Sequence, residues 1–237
     1  MGFEEYHKKN IKETKKKVKE AVNFDDFIVK GIGNIDEINK VINTLVKRLR
    51  EWYELYNPEF SRKVFDHEEF ISLIVSGKAT KEKDSMGAEL SEKDLEPIMG
   101  LAQEIDSLYK LKKRQEEYLE KLMEKNCPNI NAIAGALIGA RLIAIAGDLK
   151  RLVGFPASTV QLLGAEKALF RHMRTGARAP KYGVIHEHPI IAKASKENKG
   201  KSARMLADKI SIAAKIDYFK GEFIGDKLKK EVEDRFK

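Results

Sequence analysis

The chain has 237 residues and a mass of 27.0 kDa, enough for one large domain or two small ones with real cores. Charged residues make up 35% and hydrophobic residues 42%, with only six prolines and 16 glycines, which excludes a disordered tail and favours long helices. The net charge is +8, and Gly164–Lys209 alone holds eleven basic and four acidic residues. This local excess favours a polyanionic partner, with nucleic acid ahead of an acidic membrane surface.

Cellular location is constrained by three features. Cys127 is the only cysteine, which excludes an intrachain disulfide and favours a reducing compartment. Residues 1–20 are polar and lysine-rich, without the apolar run of a signal peptide, so a cytoplasmic or nuclear protein is expected. Residues 130–147 are apolar enough to resemble a membrane span, but Asn131 and Arg141 interrupt them, and a buried helix is the expectation.

The first half of the chain predicts helices. Residues 1–33 should form a basic amphipathic helix and a connector ending in Gly31-Ile32-Gly33. A helix with a coiled-coil seam should follow, starting at an Asn34–Glu37 capping box and stopping at Asn57-Pro58. Its seam alternates steps of three and four: Ile35, Ile38, Ile42, Leu45, Leu49, Trp52 and Tyr56.

A second long helix is predicted from Ser91 to about Asn126, with Pro97 near its start or at a kink. A short helix over Asp66–Ser76 should lie between the two long ones. Two long helices joined in this way form a long antiparallel helical hairpin. Residues 34–126 are therefore expected to be a coiled-coil domain.

From Cys127 onward the composition changes to Ala, Gly and Ile, so a second domain is expected over residues 127–237. Small residues four apart, such as Gly135 and Gly139, allow helices to approach closely. Further helices are expected around 136–153, 158–174 and 200–218, with a loop over 175–187. No segment has the pattern of a strand, and the predicted class is all-α.

The sequence does not match the catalytic and metal-binding motifs that its local patterns suggest. Gly200-Lys201-Ser202 resembles the end of a P-loop, but Ser195 stands where the motif needs glycine. His186-Glu187-His188 lacks the four-residue spacing that places two zinc ligands on one helical face. There is also no G-x-S-x-G elbow. We therefore expect no catalytic residues, no metal site and no cofactor.

A helix around Gly164–Arg174 predicts a binding face. Lys167, Arg171 and Arg174 follow each other by four and three residues and should share one side, flanked by Phe170. A solvated charged face on a core helix would show the same spacing, and from spacing alone the two interpretations are equally supported.

The predicted helix over 200–218 repeats this pattern, with Lys201 and Arg204 opposite an apolar stripe. The preceding loop adds Tyr182, which is suited to stacking on an unpaired RNA base but equally to packing on the protein surface.

Four segments, in order and spacing, resemble the Nop domain, and the helical pair before them resembles the coiled-coil domain of the same family. The segments are Ala140–Gly147, Pro156–Gln161, Leu163–His172 and Gly200–Ala207. The likeness extends from about Ile35 to the C-terminus and is strongest to the archaeal scaffold protein of box C/D small ribonucleoproteins. The spliceosomal Nop-domain factor is a more distant relative.

The resemblance implies a non-catalytic, all-α scaffold that binds the composite surface of a kink-turn guide RNA and its ribosomal-protein-like kink-turn-binding protein. It implies a homodimer formed through the coiled coil. In the full-length family member, a separate N-terminal domain positions fibrillarin, the catalytic subunit, for RNA 2′-O-methylation in rRNA processing. It further implies an archaeal cytoplasmic protein, nucleolar if eukaryotic, with no membrane partner.

The same resemblance assigns residues to three groups. The RNA-binding group is Lys167, Arg171, His172, Arg174, Lys201 and Arg204. The group facing the kink-turn-binding protein is Gly164, Ala165, Glu166, Ala168, Leu169 and Phe170. The group in the coiled coil and dimer contact is Ile38, Ile42, Leu45, Leu49 and Trp52.

Two departures and one alternative accompany this assignment. Residues 1–33 contain no counterpart of the fibrillarin-binding domain, so the sequence is expected to be a fragment. Glu187 places an acid in a loop expected near RNA, which weakens the expectation of contacts at His186 and His188. The alternative function is a coiled-coil protein-protein adaptor without direct RNA binding.

Overall fold

The computed structural model describes residues 2–235. Residue 1 of the expected N-terminal segment and residues 236 and 237 of the expected second domain lie outside the described residues. The described residues contain only helices, which confirms the all-α class. The α-helices are α1 Phe3–Ala21, α2 Phe24–Tyr53, α3 Pro58–Lys63, α4 His67–Val75, α5 Glu92–Asn126, α6 Pro128–Ala134, α7 Ala136–Ala146, α8 Leu149–Gly154, α9 Ala157–Leu162, α10 Glu166–Thr175, α11 Pro189–Lys193, α12 Lys199–Tyr218 and α13 Gly225–Arg235. One 3₁₀ turn covers Val184–Glu187.

The chain divides into two compact units. One is Gly33–Glu117, and the other combines the residues up to Ile32 with those from Tyr118 onward. In the first unit, α2, α4 and α5 share an apolar core: Ile38, Ile42, Val46, Leu49, Tyr53, Phe70, Ile71, Ile74, Ile98, Ala102 and Ile105. The short helix forms as predicted, because the Asp66 side chain accepts the backbone N–H of Glu69 at 2.8 Å.

The seam of α2 differs from the predicted one toward the end of the helix. Leu45 is only half-buried and Trp52 is 42% exposed, whereas Val46 and Tyr53 are buried. A straight helix drifts by about 20° per heptad against a strict 3.5-residue repeat, so the buried position moves one residue along. Burial raises the pKa of Tyr53 to about 12.

The start of α2 also differs from the prediction. The helix begins at Phe24 and runs through Gly31-Ile32-Gly33, so the predicted connector and the predicted cap at Asn34 are both wrong. Ile32 is buried in the second unit, where a Cβ on Gly31 would lie 3.6 Å from Leu119. The two glycines therefore lie inside a helix that burial of its neighbouring residues stabilises, and no close approach requires glycine at Gly33.

In the second unit, α12 lies at the centre and packs against α6, α8, α9 and α13. Gly139 provides the predicted close approach, since a Cβ there would lie 2.7 Å from a methyl of Ile130. The helix predicted over 200–218 is confirmed as α12, and the one predicted to end at Asn126 is confirmed as α5. Sequence reasoning missed α13 entirely.

A buried carboxylate connects α12 to α6. Asp217 accepts the backbone N–H groups of Asn129 and Ile130 at 3.1 and 2.9 Å, and the amide nitrogen of Asn129 at 2.8 Å. These are unpaired donors of the first turn of α6, so the carboxylate caps a helix from a distance of 88 residues. Burial raises the pKa of Asp217, although these three donors oppose the shift.

Two predicted helices are broken by glycine. The helix expected over 136–153 stops at Gly147, whose φ is +101°, and restarts after Asp148, whose side chain accepts the Arg151 N–H at 2.6 Å. The helix expected over 158–174 breaks at Gly164, with φ +86°.

The apolar stretch at 130–147 is therefore not one helix. No single helix among residues 2–235 is long and apolar enough to cross a membrane; α6 and α7 reach that threshold only as a pair, bent by 115°. Ile133, Ile143 and Leu142 of this pair are buried within the unit, as the prediction of a buried segment requires.

Candidate nucleic-acid interface

Helix α10 is the most exposed helix of the predicted binding region, and none of its residues is buried. Ala168, Leu169 and His172 are half-buried on one side, and the rest of the helix faces solvent. At its start the Glu166 carboxylate accepts the Gly164 N–H at 2.7 Å. At its end Gly176 takes the left-handed conformation that closes a helix, with φ +67°.

The outward side of α10 carries the predicted basic stripe. Lys167, Arg171 and Arg174 line one shallow groove of about 460 Å³ together with Phe170 and Thr175. The structure thus brings the three cations and the aromatic ring together as the spacing predicted. None of the described residues that line this groove is acidic, so it presents positive charge beside an apolar ring.

An apolar pair adjoins this stripe. Phe170 is 59% exposed and Met173, three residues later and so on a neighbouring position of the helix, is 62% exposed. Sequence analysis did not assign Met173 to the binding face, because its position on the helix points away from the side that carries the three basic residues. An exposed aromatic ring next to an exposed thioether is typical of a protein contact surface.

His172 does not belong to the basic stripe. Its ring lies on the half-buried side of α10, and its Nδ1 makes a hydrogen bond with the carbonyl oxygen of Ala177. The structure therefore places His172 under the helix, where it fixes the chain that follows Gly176. Four residues of α10 were expected to face RNA, and His172 is the one that does not share the outward side with the other three.

The start of α10 is fixed by a backbone clasp formed by residues 161–164 and 181–184. The N–H of Gly183 donates to the carbonyl of Gln161 at 2.7 Å, and that of Val184 donates to Leu163 at 2.8 Å. The Gln161 amide donates to the Lys181 carbonyl at 2.6 Å. A Cβ on Gly183 would lie 1.8 Å from the Leu163 oxygen, so only glycine permits this approach.

Lys201 and Arg204 lie in a second groove. Its volume is about 770 Å³, and it is formed by α9, α12 and the end of α13. Its lining residues are Ala157, Ser158, Asn198, Lys201, Arg204, Met205, Asp208 and Arg235. Arg235 adds a third cation that the sequence gave no reason to place here, and Asp208 adds an acid. The two grooves share no lining residue.

The segment from Tyr182 to the start of α11 is held by its own contacts. Tyr182 is half-buried and stacks on His186, with ring centroids 6.0 Å apart. Glu187 forms an ion pair with Arg141, so its charge is already matched within the protein. The surface-packed interpretation of Tyr182 therefore has structural support.

His188 is buried in the second unit. Its Nε2 lies 3.0 Å from the Ile133 carbonyl oxygen, and its Nδ1 accepts the Ile190 N–H at 3.3 Å. Burial lowers the pKa of His188. The residue therefore has a structural position and does not face a ligand. Within residues 2–235, no group of three or more His, Cys, Asp or Glu side chains is arranged to hold a metal ion.

The residues assigned to the coiled-coil contact divide into two sets. Ile38, Ile42 and Leu49 are buried in the core of their own unit, and Leu45 is half-buried. Trp52 is exposed, with Leu55 three residues later 61% exposed. Of the five assigned residues, Trp52 is therefore the one whose side chain is most available to a second molecule.

Comparisons with known proteins identify the family of the chain. A family model named Nop, described as "snoRNA binding domain, fibrillarin", matches residues 34–237. An uncharacterized NOP5 family protein of Methanocaldococcus jannaschii is 41% identical, with 99% of this chain and 63% of that protein covered. Nucleolar protein 56 of Schizosaccharomyces pombe is 39% identical, with 92% of this chain and 50% of that protein covered.

A solved structure of a fibrillarin/Nop5p complex aligns with a TM-score of 0.58 and 31% identity, covering 90% of this chain and 67% of that one. The chain thus spans between half and two thirds of the curated relatives described above. Since the family model matches residues 34–237, which include both grooves and the clasp, the chain belongs to the Nop family.

Proposed function

We propose that this chain is a non-catalytic scaffold that recognises a kink-turn RNA together with the small protein already bound to it. The observation that carries the proposal is the composition of the outward side of α10. Phe170 and Met173 offer apolar surface, and Lys167, Arg171 and Arg174 offer charge directly beside it. A surface of this kind matches a partner that is part protein and part RNA.

The energetics of α10 support the same proposal. A helix with no fully buried residue gains little stability from the fold, because most helical stability in proteins comes from packing of an apolar face. The clasp and the Glu166 contact nevertheless hold its start in a fixed position. A helix fixed in place but unused by the core is well suited to present side chains to a partner.

The division of labour is part of the proposal. Residues 127–237 bind the RNA-protein surface, and residues 34–126 self-associate, with Trp52 and Leu55 as exposed candidates for the contact. Fibrillarin would supply the methyltransferase activity in the assembled particle, as the fibrillarin/Nop5p structure supports. In an archaeal cell this particle would be cytoplasmic, whereas the eukaryotic relatives are named as nucleolar proteins.

A gel-shift titration tests the proposal. The chain is titrated against a box C/D kink-turn RNA, with and without the kink-turn-binding protein, at two salt concentrations. We expect a supershift only on the preformed RNA-protein complex, weakened at the higher salt. Equal affinity for bare RNA would contradict the composite surface, and no shift in either case would favour the adaptor function.

A further inference from the structure

Helix α1 presents a second basic surface, remote in sequence from the two grooves. Every residue of the helix is exposed. Its lysines at 8, 12, 15 and 19 follow steps of four, three and four, which place them on one side of the helix within a narrow stripe. We call these four residues the α1 lysine stripe. At 1.5 Å per residue it extends over about 16 Å.

The charge of the α1 lysine stripe is only partly balanced within the helix. Glu4 precedes Lys8 by four residues, and Glu13 lines the same surface as the four lysines. Glu20 pairs with Lys16 at 3.8 Å. Glu5, in the first turn, accepts the N–H of Gly2. None of the four stripe lysines takes part in an ion pair or hydrogen bond among the described residues. The helix therefore holds four adjacent cations ready for an external polyanion.

We propose that the α1 lysine stripe binds the phosphate backbone of RNA outside the kink-turn, as a contact that reads no sequence. Lysine ammonium groups act as point charges on phosphates, and each contact releases condensed counterions. The inference rests on the proposed function in one respect, that this chain works on an RNA particle. It adds a separate surface, on a separate helix, for a different part of that RNA.

A lipid surface fits α1 less well than RNA does. An amphipathic membrane helix needs a continuous apolar side, with bulky residues inserted between the headgroups. The side of α1 next to the stripe carries Phe3, Ile11 and Val18, but His7 and Thr14 interrupt it. The mean apolar character is thus low, whereas the row of lysines is uninterrupted.

The test compares two double variants of the full chain. Lys8→Gln/Lys12→Gln removes half of the stripe, and Lys9→Gln/Lys17→Gln removes the same charge from the same helix at positions that do not line the stripe surface. Glutamine keeps the helix propensity of lysine, so both variants should retain their helical circular dichroism. The probes are a plain RNA duplex without a kink-turn, and a minimal kink-turn RNA loaded with its protein.

We expect the stripe variant to bind the plain duplex about tenfold more weakly, with a salt slope lower by about two, one for each lost phosphate contact. The matched variant should lose much less. Both should bind the minimal loaded kink-turn like the unmodified chain, so a failure of the proposed function appears on that probe alone.

Equal losses in the two variants on the plain duplex, or no loss in either, would overturn the inference. So would stripe-dependent sedimentation with anionic phospholipid vesicles while duplex binding is unchanged, since that result would assign α1 to a membrane surface.

Discussion

The guanidinium carbon of Arg50 lies 4.1 Å from the centre of the Phe70 ring, a cation–π contact between α2 and α4. The same guanidinium donates hydrogen bonds to the Ser61 carbonyl near the end of α3 and to three consecutive carbonyls in the turn before α4, those of Val64, Phe65 and Asp66. Its Nε donates to Nδ1 of His67 at 3.1 Å. One side chain therefore holds the tip of this unit together.

Replacing Arg50 with lysine should destabilise this unit although the charge is kept. Lysine has three donors on a single atom and cannot reach several carbonyls while covering an aromatic ring. We expect a loss of about 2–3 kcal/mol in the free energy of unfolding, measured by urea denaturation. The matched control is Arg48→Lys, whose residue pairs with Glu51 on the exposed surface and should change stability by less than about 1 kcal/mol. Similar effects for the two variants would show that the carbonyl contacts of Arg50 contribute nothing.

Gly183→Ala should damage the clasp at the start of α10. The added methyl would lie 1.8 Å from the Leu163 carbonyl oxygen, so the two segments must separate and lose backbone hydrogen bonds. We expect a fall in stability of about 3 kcal/mol or more and weaker binding of the loaded kink-turn. Gly154→Ala is the control, because nothing lies within 4 Å of its Cβ. If Gly183→Ala binds and unfolds like that control, the clasp does not position α10.

Lys167→Ala and Arg204→Ala test the two grooves separately. If each side chain makes a charge-assisted contact with phosphate, each variant should lose about 1–3 kcal/mol of binding free energy. The slope of log affinity against log salt should fall by about one for each variant. Because the grooves share no residue, the two losses should add in the double variant. An unchanged affinity and slope for Arg204→Ala would mean that the second groove is only a solvated surface.

His188 should make stability depend on pH in the mildly acidic range. Burial lowers its pKa below the ordinary 6.5, so the unfolded chain takes up a proton there before the folded chain does. The free energy of unfolding should therefore fall as pH drops below about 6.5, and the loss should be complete below the folded pKa. Its ring also accepts the Ile190 N–H through Nδ1, a bond that the imidazolium form cannot accept.

Burial also lowers the pKa of His67, so this residue too should reduce the free energy of unfolding as the pH falls. The measurement is therefore made in a His67→Gln background. Urea midpoints from pH 7.5 to 5 should decline in that background and decline less after His188→Gln. A pH dependence that is identical with and without His188 would contradict this assignment.

Periodicity predicted the long helices correctly but misjudged where α2 begins and what it buries. Gly31 and Gly33 suggested a connector because glycine usually weakens a helix, yet burial of Ile32 outweighs that local cost. Trp52 was expected in the seam because the repeat was extended as a strict heptad, while Tyr53 holds the buried position. A period of 3.6 would have identified Val46 and Tyr53.

The candidate site was predictable where it depends on one helix and not where it depends on contacts between distant segments. Spacing alone placed Lys167, Phe170, Arg171 and Arg174 on one side of α10. It did not place His172 against Ala177, because that local contact depends on the left-handed turn at Gly176. It also did not bring Arg235 to the groove of Arg204, because that contact depends on tertiary packing. The break at Gly147 did have a local signal, since the following Asp148 is a preferred helix N-cap.

Helix α10 buries none of its residues, while α12 of the same unit buries nearly half of its own. A substitution in α12 will therefore often change the stability of the fold, and its effect on binding cannot be separated from its effect on folding. Most substitutions in α10 should leave the stability of the fold unchanged. A library of variants confined to residues 166–175 would therefore report directly on binding affinity. The positions at which substitution weakens binding would identify the residues of α10 that contact the partner.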